Sequence, residues 1–287
     1  MLATYPRGIM LANSLLVLAN RPLVVGGRRG KVATKGQMTN FEETKKQFIL
    51  PKGLIYLDGN SLGPMPKNVP SEINTLLHEE WSNLLINGWN DAEWMFQPEN
   101  LGNKISRIIG AEDNSVVVGE TLSVRVFQAL SSAIKDVGKR KIILTDSGNF
   151  PSDLYMAQGL VHLLNDQLEI RICAPEEVLD SLSDEIAVLM LTDVDYRTGR
   201  RHDISVISKI AKDNGIVTIW DLAHSAGALN LNLKEWNIDY AVGCTYKYLN
   251  AGPGSPAFIY VNPKKINEVK PSSVSYTHLT LPTILLV

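Results

Sequence analysis

The sequence predicts an α/β fold in which a mainly parallel sheet is covered by helices. From Phe41 onward, short β-branched runs alternate with stretches that have the period of amphipathic helices. Two of the apolar runs, 216–220 and 240–242, also lead into polar residues. Alternating strands and helices build parallel sheets, and ligands bind where the strands of such sheets end. The fold class and the edge of the sheet that carries a site therefore follow from the same pattern.

The individual elements follow from periodicity and composition. The predicted helices are 68–86, 101–109, 122–135, 153–164 and 204–214. The predicted strands are 141–144, 168–172, 186–191, 216–220, 240–242 and 257–261. In the first helix the apolar side chains fall on roughly one side, namely Ile73, Leu76, Leu77, Trp81, Leu84 and Leu85. That side is expected to face other parts of the protein.

The bulk properties are those of an ordinary globular enzyme. The chain has 287 residues, 45% of them apolar, and a net charge of −2, so nothing points to a nucleic-acid partner. Cys173 and Cys244 are far apart and lack ligand-like neighbours, so we expect neither a metal site nor a disulfide. This cysteine usage fits a reducing compartment, and we expect a cytoplasmic protein.

The first 37 residues differ from the rest of the chain. They contain no acidic residue, and their basic residues are Arg7, Arg21, Arg28, Arg29, Lys31 and Lys35. The apolar stretch Ile9–Ala19 is too short to cross a bilayer, so we expect no membrane segment. We interpret residues 1–37 as an upstream or targeting-like extension, with Met38 as the natural start and a transit peptide as the alternative. Residues 38–273 are expected to form one large domain.

Asp221 and Lys247 are the strongest indication of chemistry. Each follows a predicted strand, and Lys247 precedes the turn Gly252–Gly254. A lone Asp in this position is usually a helix N-cap, and a lone Lys is usually solvated. An acid followed by a lysine about 25 residues later suits pyridoxal phosphate, whose aldehyde binds an amine and whose ring nitrogen is kept protonated by an acid. The combination therefore predicts a pyridoxal phosphate site.

Four further segments fit the same interpretation. Residues 57–64 form a glycine-rich turn, and 192–199 follow a predicted strand. Residues 119–123 precede a helix, whose free N–H groups could hold a phosphate. Residues 149–153 place the aromatic ring of Phe150 after a strand, where it could lie against the cofactor. Each segment is weak evidence alone, because capped helix starts and core phenylalanines are common.

Four motifs together resemble the kynureninase family. They are Tyr-Leu-Asp-Gly-Asn-Ser-Leu-Gly-Pro (56–64), Asn-Phe-Pro-Ser-Asp (149–153), Trp-Asp-Leu-Ala-His-Ser-Ala-Gly (220–227) and Tyr-Lys-Tyr-Leu-Asn-Ala-Gly-Pro-Gly (246–254). The resemblance covers about 41–271. It implies an aspartate-aminotransferase-like, fold-type I large domain with a mainly parallel seven-stranded sheet. Cysteine desulfurases share the Asp and Lys positions but usually open with a different motif in place of 58–63.

The resemblance also implies roles for individual residues. Lys247 forms the Schiff base and moves protons at the substrate carbons, and Asp221 pairs with the pyridinium nitrogen. Phe150 stacks on the ring. The remaining cofactor contacts that it implies are Leu122, Ser123, Asp153, Thr192, His224 and Tyr246, and the implied substrate contacts are Asn60 and Ser61.

The reaction implied is hydrolysis of a carbon–carbon bond. Kynureninases convert L-kynurenine, or 3-hydroxykynurenine, to anthranilate or 3-hydroxyanthranilate and L-alanine, in tryptophan catabolism and NAD biosynthesis. Family members continue beyond residue 270 into a small C-terminal domain that supplies a Trp, an Asn and an Arg to the site, and they are homodimers. We therefore expect this chain to be an inactive fragment. The alternatives are a cysteine desulfurase-like lyase and a non-catalytic truncated product.

The end of the chain does not continue the pattern. Val-Ser-Tyr-Thr-His-Leu-Thr-Leu-Pro-Thr (274–283) has neither helical nor strand periodicity. It resembles the translation of a common transposase sequencing adapter. We therefore interpret residues 274–287 as an artefact that replaces the natural continuation of the chain.

Overall fold

A seven-stranded sheet forms the centre of the molecule. The computed structural model describes residues 41–135, 138–267 and 269. The strands are β3 (Val116–Val118), β4 (Ile142–Asp146), β5 (Glu169–Cys173), β6 (Ile186–Thr192), β7 (Val217–Asp221), β8 (Tyr240–Gly243) and β9 (Phe258–Val261). Their order across the sheet is β3-β9-β8-β7-β6-β4-β5. A separate two-stranded sheet pairs β1 (Phe48–Ile49) with β2 (Met65–Pro66).

The strand directions confirm the mainly parallel sheet that the sequence predicts. The four neighbouring pairs from β5 to β8 are parallel. Strand β9 runs antiparallel to both of its neighbours, β8 and β3. Strand β3 was not predicted, because three residues carry too little periodicity to be distinguished from a loop.

Helices cover both faces of the sheet. The helices of the described residues are α1 (Phe41–Lys45), α2 (Val69–Thr75), α3 (Ser82–Leu84), α4 (Gly88–Asp91), α5 (Gln97–Ile109), α6 (Leu122–Ala133), α7 (Pro151–Leu163) and α8 (Ile204–Asp213), and the last four lie against the sheet. Side chains of α5 and α8 pack in one buried cluster, and side chains of α6 and α7 pack in another. Successive residues of β4 alternate between the two clusters, as the pleat of a strand requires. The fold is therefore a three-layer α/β sandwich.

The predicted helix 68–86 is interrupted. A π-helical turn, Leu76–Trp81, separates α2 from α3, and Leu85 adopts a positive φ of 51° that ends α3. The helical stretch thus ends near the predicted position, but it is not one regular helix. Leu77, Trp81 and Leu85 are exposed, so the side that was expected to be covered is open within the described residues.

The two ends of the chain are outside this description. The predictions for residues 1–37 and 274–287 fall on residues that the structure does not describe. Within the described part, no helix combines the length and the apolar character needed to cross a membrane.

Candidate functional site

The ends of the parallel strands bring the predicted polar residues together. Thr192 ends β6 and Asp221 ends β7, and the two lie directly opposite each other in the sheet. Asp221 in turn lies opposite Val242 of β8, a strand that leads into the loop with Lys247. Parallel strands end at the same edge, so residues about 25 positions apart along the chain become neighbours. The structure therefore places these residues at the edge of the sheet where the sequence predicts a site.

Lys247 is buried, which is unusual for a lysine. Only 7% of the residue is exposed, and its Nζ lies 2.7 Å from Nε2 of His224. Burial, together with the positive charge of Lys247, lowers the pKa of His224 to about 4. His224 is therefore neutral near neutral pH, and its ring nitrogen can accept a hydrogen bond from the lysine. The pair fixes the Lys247 amine at the edge of the sheet.

Two buried carboxylates lie on the same side. Asp221 Oδ1 accepts a hydrogen bond from the backbone N–H of Ala223 at 2.8 Å, and burial raises the pKa of Asp221 to about 6. Burial and the charge of Asp221 raise the pKa of Asp153, which is fully buried in the first turn of α7. Asp153 Oδ2 has no hydrogen-bond partner among the described residues. A buried polar atom without a partner is costly, so Asp153 Oδ2 suits a cationic or hydrogen-bonding group of a ligand.

Phe150 lies directly before α7 and is tied to β6. Thr192 Oγ1 donates a hydrogen bond to Asn149 Oδ1 at 2.6 Å, and the same oxygen accepts one from the backbone N–H of Phe150 at 2.7 Å. The centroid of the Phe150 ring lies 5.7 Å from Lys247 Nζ. Thr192 therefore holds the loop that carries the ring, and the ring lies beside the lysine.

A cavity of about 450 Å³ opens beside Tyr246, the residue that precedes Lys247 in the chain. It is lined by Ser61, Leu62, Thr121, Leu122, Cys244, Tyr246, Pro253, Gly254, Ser255 and Ala257. Leu122 and Ser123 form the first turn of α6, and Thr121 caps this helix by accepting from the N–H of Val124 at 3.4 Å. The positive end of a helix favours an anion. Burial raises the pKa of Tyr246 to about 12, so its hydroxyl stays protonated and can donate.

The turn with Asn60 and Ser61 forms one wall of this cavity. The N–H of Gly63 donates to the carbonyl of Tyr246 at 2.8 Å, and a Cβ at Gly63 would overlap the carbonyl oxygen of Lys247. Only glycine allows this approach. The predicted substrate contact Ser61 therefore lines the cavity, and Asn60 lies half-buried beside it in the same turn.

Sequence reasoning missed Tyr196. Its ring packs edge-on against Phe150, with centroids 5.0 Å apart, and stacks on His224 at 6.4 Å. The only indication in the sequence was an aromatic residue in the segment after β6. No group of three or more His, Cys, Asp or Glu within the described residues could hold a metal ion.

Comparison with protein families assigns the class. The model of the family described as aminotransferase class-V matches residues 55–280. The chain therefore belongs to the aminotransferase class-V family.

Relatives with known names show which members of the family this chain resembles. The kynureninase of Pseudomonas fluorescens is 45% identical over 225 residues, which are 77% of this chain and 54% of that protein. The kynureninase of Deinococcus radiodurans is 45% identical over 231 residues, 79% of this chain and 56% of that protein. The resemblance to kynureninases that the motifs indicate is confirmed. The chain spans about half the length of the curated relatives it matches.

The fold is also found in a solved structure of lower similarity. A cysteine desulfurase from Thermococcus onnurineus NA1 superimposes with a TM-score of 0.67 at 19% identity, covering 83% of this chain and 61% of that chain. This likeness confirms the predicted fold.

Proposed function

We propose that this chain is the cofactor-binding part of a kynureninase, an enzyme that hydrolyses L-kynurenine or 3-hydroxykynurenine with pyridoxal 5′-phosphate. The observation that carries the proposal is the buried Lys247 amine, which is held by His224 beside Asp221 at the ends of the parallel strands. The 45% identity to kynureninases favours this function over a cysteine desulfurase, for which the similarity extends to the fold alone.

The residues present fit pyridoxal phosphate. The unpaired oxygen of Asp153 and the buried Asp221 suit the polar atoms of a cationic pyridine ring. Phe150 offers a ring face beside Lys247. Tyr246 and the first turn of α6 border a cavity that suits a phosphate. When bound, the cofactor supplies an aldehyde that combines with amines and a ring that accepts electrons from the adjacent carbon.

Each residue then has a task that its surroundings support. Lys247 would supply the amine that combines with the cofactor aldehyde, and as a free amine it would move protons at the substrate carbons. Asp221 would keep the ring nitrogen protonated, because an ionised carboxylate favours a nearby cation. His224 accepts from Lys247 and keeps its Nζ in place. Phe150 orients the ring, and orientation supplies much of the rate of such reactions.

The remaining roles rest on the resemblance. Leu122, Ser123 and Tyr246 contact the phosphate, Thr192 and Asp153 hold the cofactor, and Asn60 and Ser61 border the substrate entrance. We propose that the enzyme requires a further C-terminal domain, since the chain spans 54% of the Pseudomonas fluorescens relative. The second subunit that we propose rests on the resemblance alone. The substrate is a small molecule, and we expect the complete enzyme to be a cytoplasmic homodimer.

Borohydride reduction of the cofactor-loaded chain, followed by peptide mapping, tests the central assignment. We expect the label on Lys247 and its loss in Lys247→Ala, because that amine is the buried one facing the candidate ring site. Lys209→Ala, at an exposed lysine of α8, is the matched control and should leave the label unchanged. A label on another lysine would refute the assignment.

The substrate is tested separately. Joined to the carboxyl-terminal region of the Pseudomonas fluorescens relative, the chain should release anthranilate from kynurenine, whereas the 287-residue chain should release none. Alanine formed from cysteine but not from kynurenine would favour the desulfurase alternative. Full activity of the 287-residue chain would show that no further domain is needed.

A further inference from the structure

The hairpin that follows β6, residues 193–202, has a fixed shape. Val194 and Arg201 form an antiparallel bridge, and the N–H of Asp195 donates to the carbonyl of Arg200 at 2.9 Å. The N–H of His202 donates to the carbonyl of Asp193 at 2.9 Å. These bonds close a short loop whose turn begins at Tyr196.

Asp195 holds the turn itself. Its Oδ1 accepts from the backbone N–H groups of Arg197 at 2.7 Å and Thr198 at 3.1 Å, while its Oδ2 pairs with the Arg197 guanidinium at 3.3 Å. The Asp195 side chain is 5% exposed and that of Arg197 is 53% exposed, so the two backbone N–H bonds, rather than the ion pair, fix the turn. The position of Tyr196 is therefore set by its neighbours on both sides.

A second set of contacts ties the hairpin to the loop with Phe150. Asp146, at the end of β4, lies 2.6 Å from His202 Nε2 and 3.4 Å from Arg200 Nη2. A Cβ added at Gly148 would lie 2.9 Å from Asp195 Oδ2, so the two loops approach closely. The buried Asp146–His202 pair thus fixes Tyr196 relative to Phe150.

In this position the ring of Tyr196 contacts two other rings of the site, those of His224 and Phe150. Its ring stacks on His224 with an interplanar angle of 22° and meets Phe150 edge-on at 70°. His224 is the residue that holds Lys247 Nζ. Tyr196 is 40% exposed, so its ring also forms part of the outer surface.

We propose that Tyr196 is a positioning residue of this site, whose ring holds the His224 imidazole against Lys247. The role of Tyr196 in cofactor binding rests on the proposed function. The contact between Tyr196 and His224 is independent of it. The ring is what matters, because stacking and edge-on packing need no hydroxyl. Replacement by phenylalanine should therefore preserve the effect and replacement by alanine should remove it.

NMR of the histidine ring protons in the cofactor-free chain tests the contact. The His224 resonance is identified by its absence from His224→Gln. Tyr196→Ala should shift this resonance, since the neighbouring ring is lost, and Tyr196→Phe should restore its position. Tyr155→Ala, at another exposed tyrosine, is the matched control and should leave it unmoved.

Titration with pyridoxal phosphate tests the consequence. Tyr196→Ala should raise the dissociation constant by about two- to tenfold, the range expected for one aromatic pair, and Tyr196→Phe should return it to the parent value. A His224 resonance unmoved by Tyr196→Ala overturns the proposal. So does a weakened affinity that phenylalanine fails to rescue. A parent chain that binds no cofactor refutes the proposed function instead, and the His224 resonance then decides on Tyr196.

Discussion

Two regions of the molecule differ in where their large apolar side chains lie. The sheet unit, residues 97–262, buries most of them, and the amino-terminal segment, residues 41–96, exposes most of them. Within the described residues, every buried apolar side chain except that of Val69 belongs to the sheet unit or follows it, whereas most exposed large ones lie in the segment. Ile55 and Leu57 are 79% and 85% exposed. The sheet unit is thus stabilised by its own core, and the segment buries little apolar area of its own. The difference indicates that the segment needs a covering surface, as apolar patches usually do.

A leucine in the sheet unit should be costly to truncate. Leu189 lies in β6 at the centre of the sheet and is 1% exposed. Leu189→Ala should lower the free energy of unfolding by about 2–5 kcal/mol, because the change removes buried methyl groups and leaves a cavity. Urea unfolding followed by circular dichroism measures this. A loss below about 1 kcal/mol would show that the sheet unit is not the stable part of the chain.

The buried charge of Asp221 should lower the free energy of unfolding of the sheet unit. Its pKa of about 6 in the fold is above the usual value of about 3.9. Above about pH 6 the folded chain carries the full penalty of an ionised buried carboxylate, and the penalty fades as the pH falls towards 4. Asp221→Asn should therefore stabilise the cofactor-free chain by about 1–3 kcal/mol at pH 7.5 and by almost nothing near pH 4.

Unfolding curves at both pH values separate charge from packing. An equal gain at each pH would mean that the asparagine simply packs better. Asp180→Asn, at an exposed aspartate, is the control and should change neither curve. Under the proposed function, the same Asp221→Asn exchange should weaken catalysis in the complete enzyme, since it removes the proposed partner of the ring nitrogen. The exchange would then raise stability and lower activity.

The smallest effect is expected in the amino-terminal segment. Leu57→Ala, the same chemical change as Leu189→Ala, should alter the free energy of unfolding by less than about 0.5 kcal/mol, because the side chain is already in water. The pair of variants compares the two regions directly. A loss equal to that of Leu189→Ala would mean that Leu57 is covered in solution, for example by self-association, and light scattering would detect this.

The sequence predicts those features that follow from local patterns along the chain and from the general rules of parallel sheets. Strand β6 is predicted at 186–191 and occupies Ile186–Thr192, since a continuous apolar run of this length has few alternatives. Asp221 and Lys247 were paired because the ends of parallel strands share an edge. The stacking of Tyr196 on His224 could not be predicted, since it depends on how two loops approach in space. The break at Leu85 has no marker such as Pro or Gly beside the bend.

The antiparallel strand β9 determines when the sheet that carries the candidate site can be completed during synthesis. Strand β3 pairs with β9, about 140 positions later in the chain, whereas the parallel strands pair with partners made much sooner. The backbone of Ala257, directly before β9, also exchanges hydrogen bonds with Gly119 and Glu120 at 2.8 and 2.9 Å. The start of α6 is therefore anchored only after the ribosome has added residue 257. Contacts so distant in sequence form slowly, so we expect the pairing of β3 with β9 to be the last step in building the sheet.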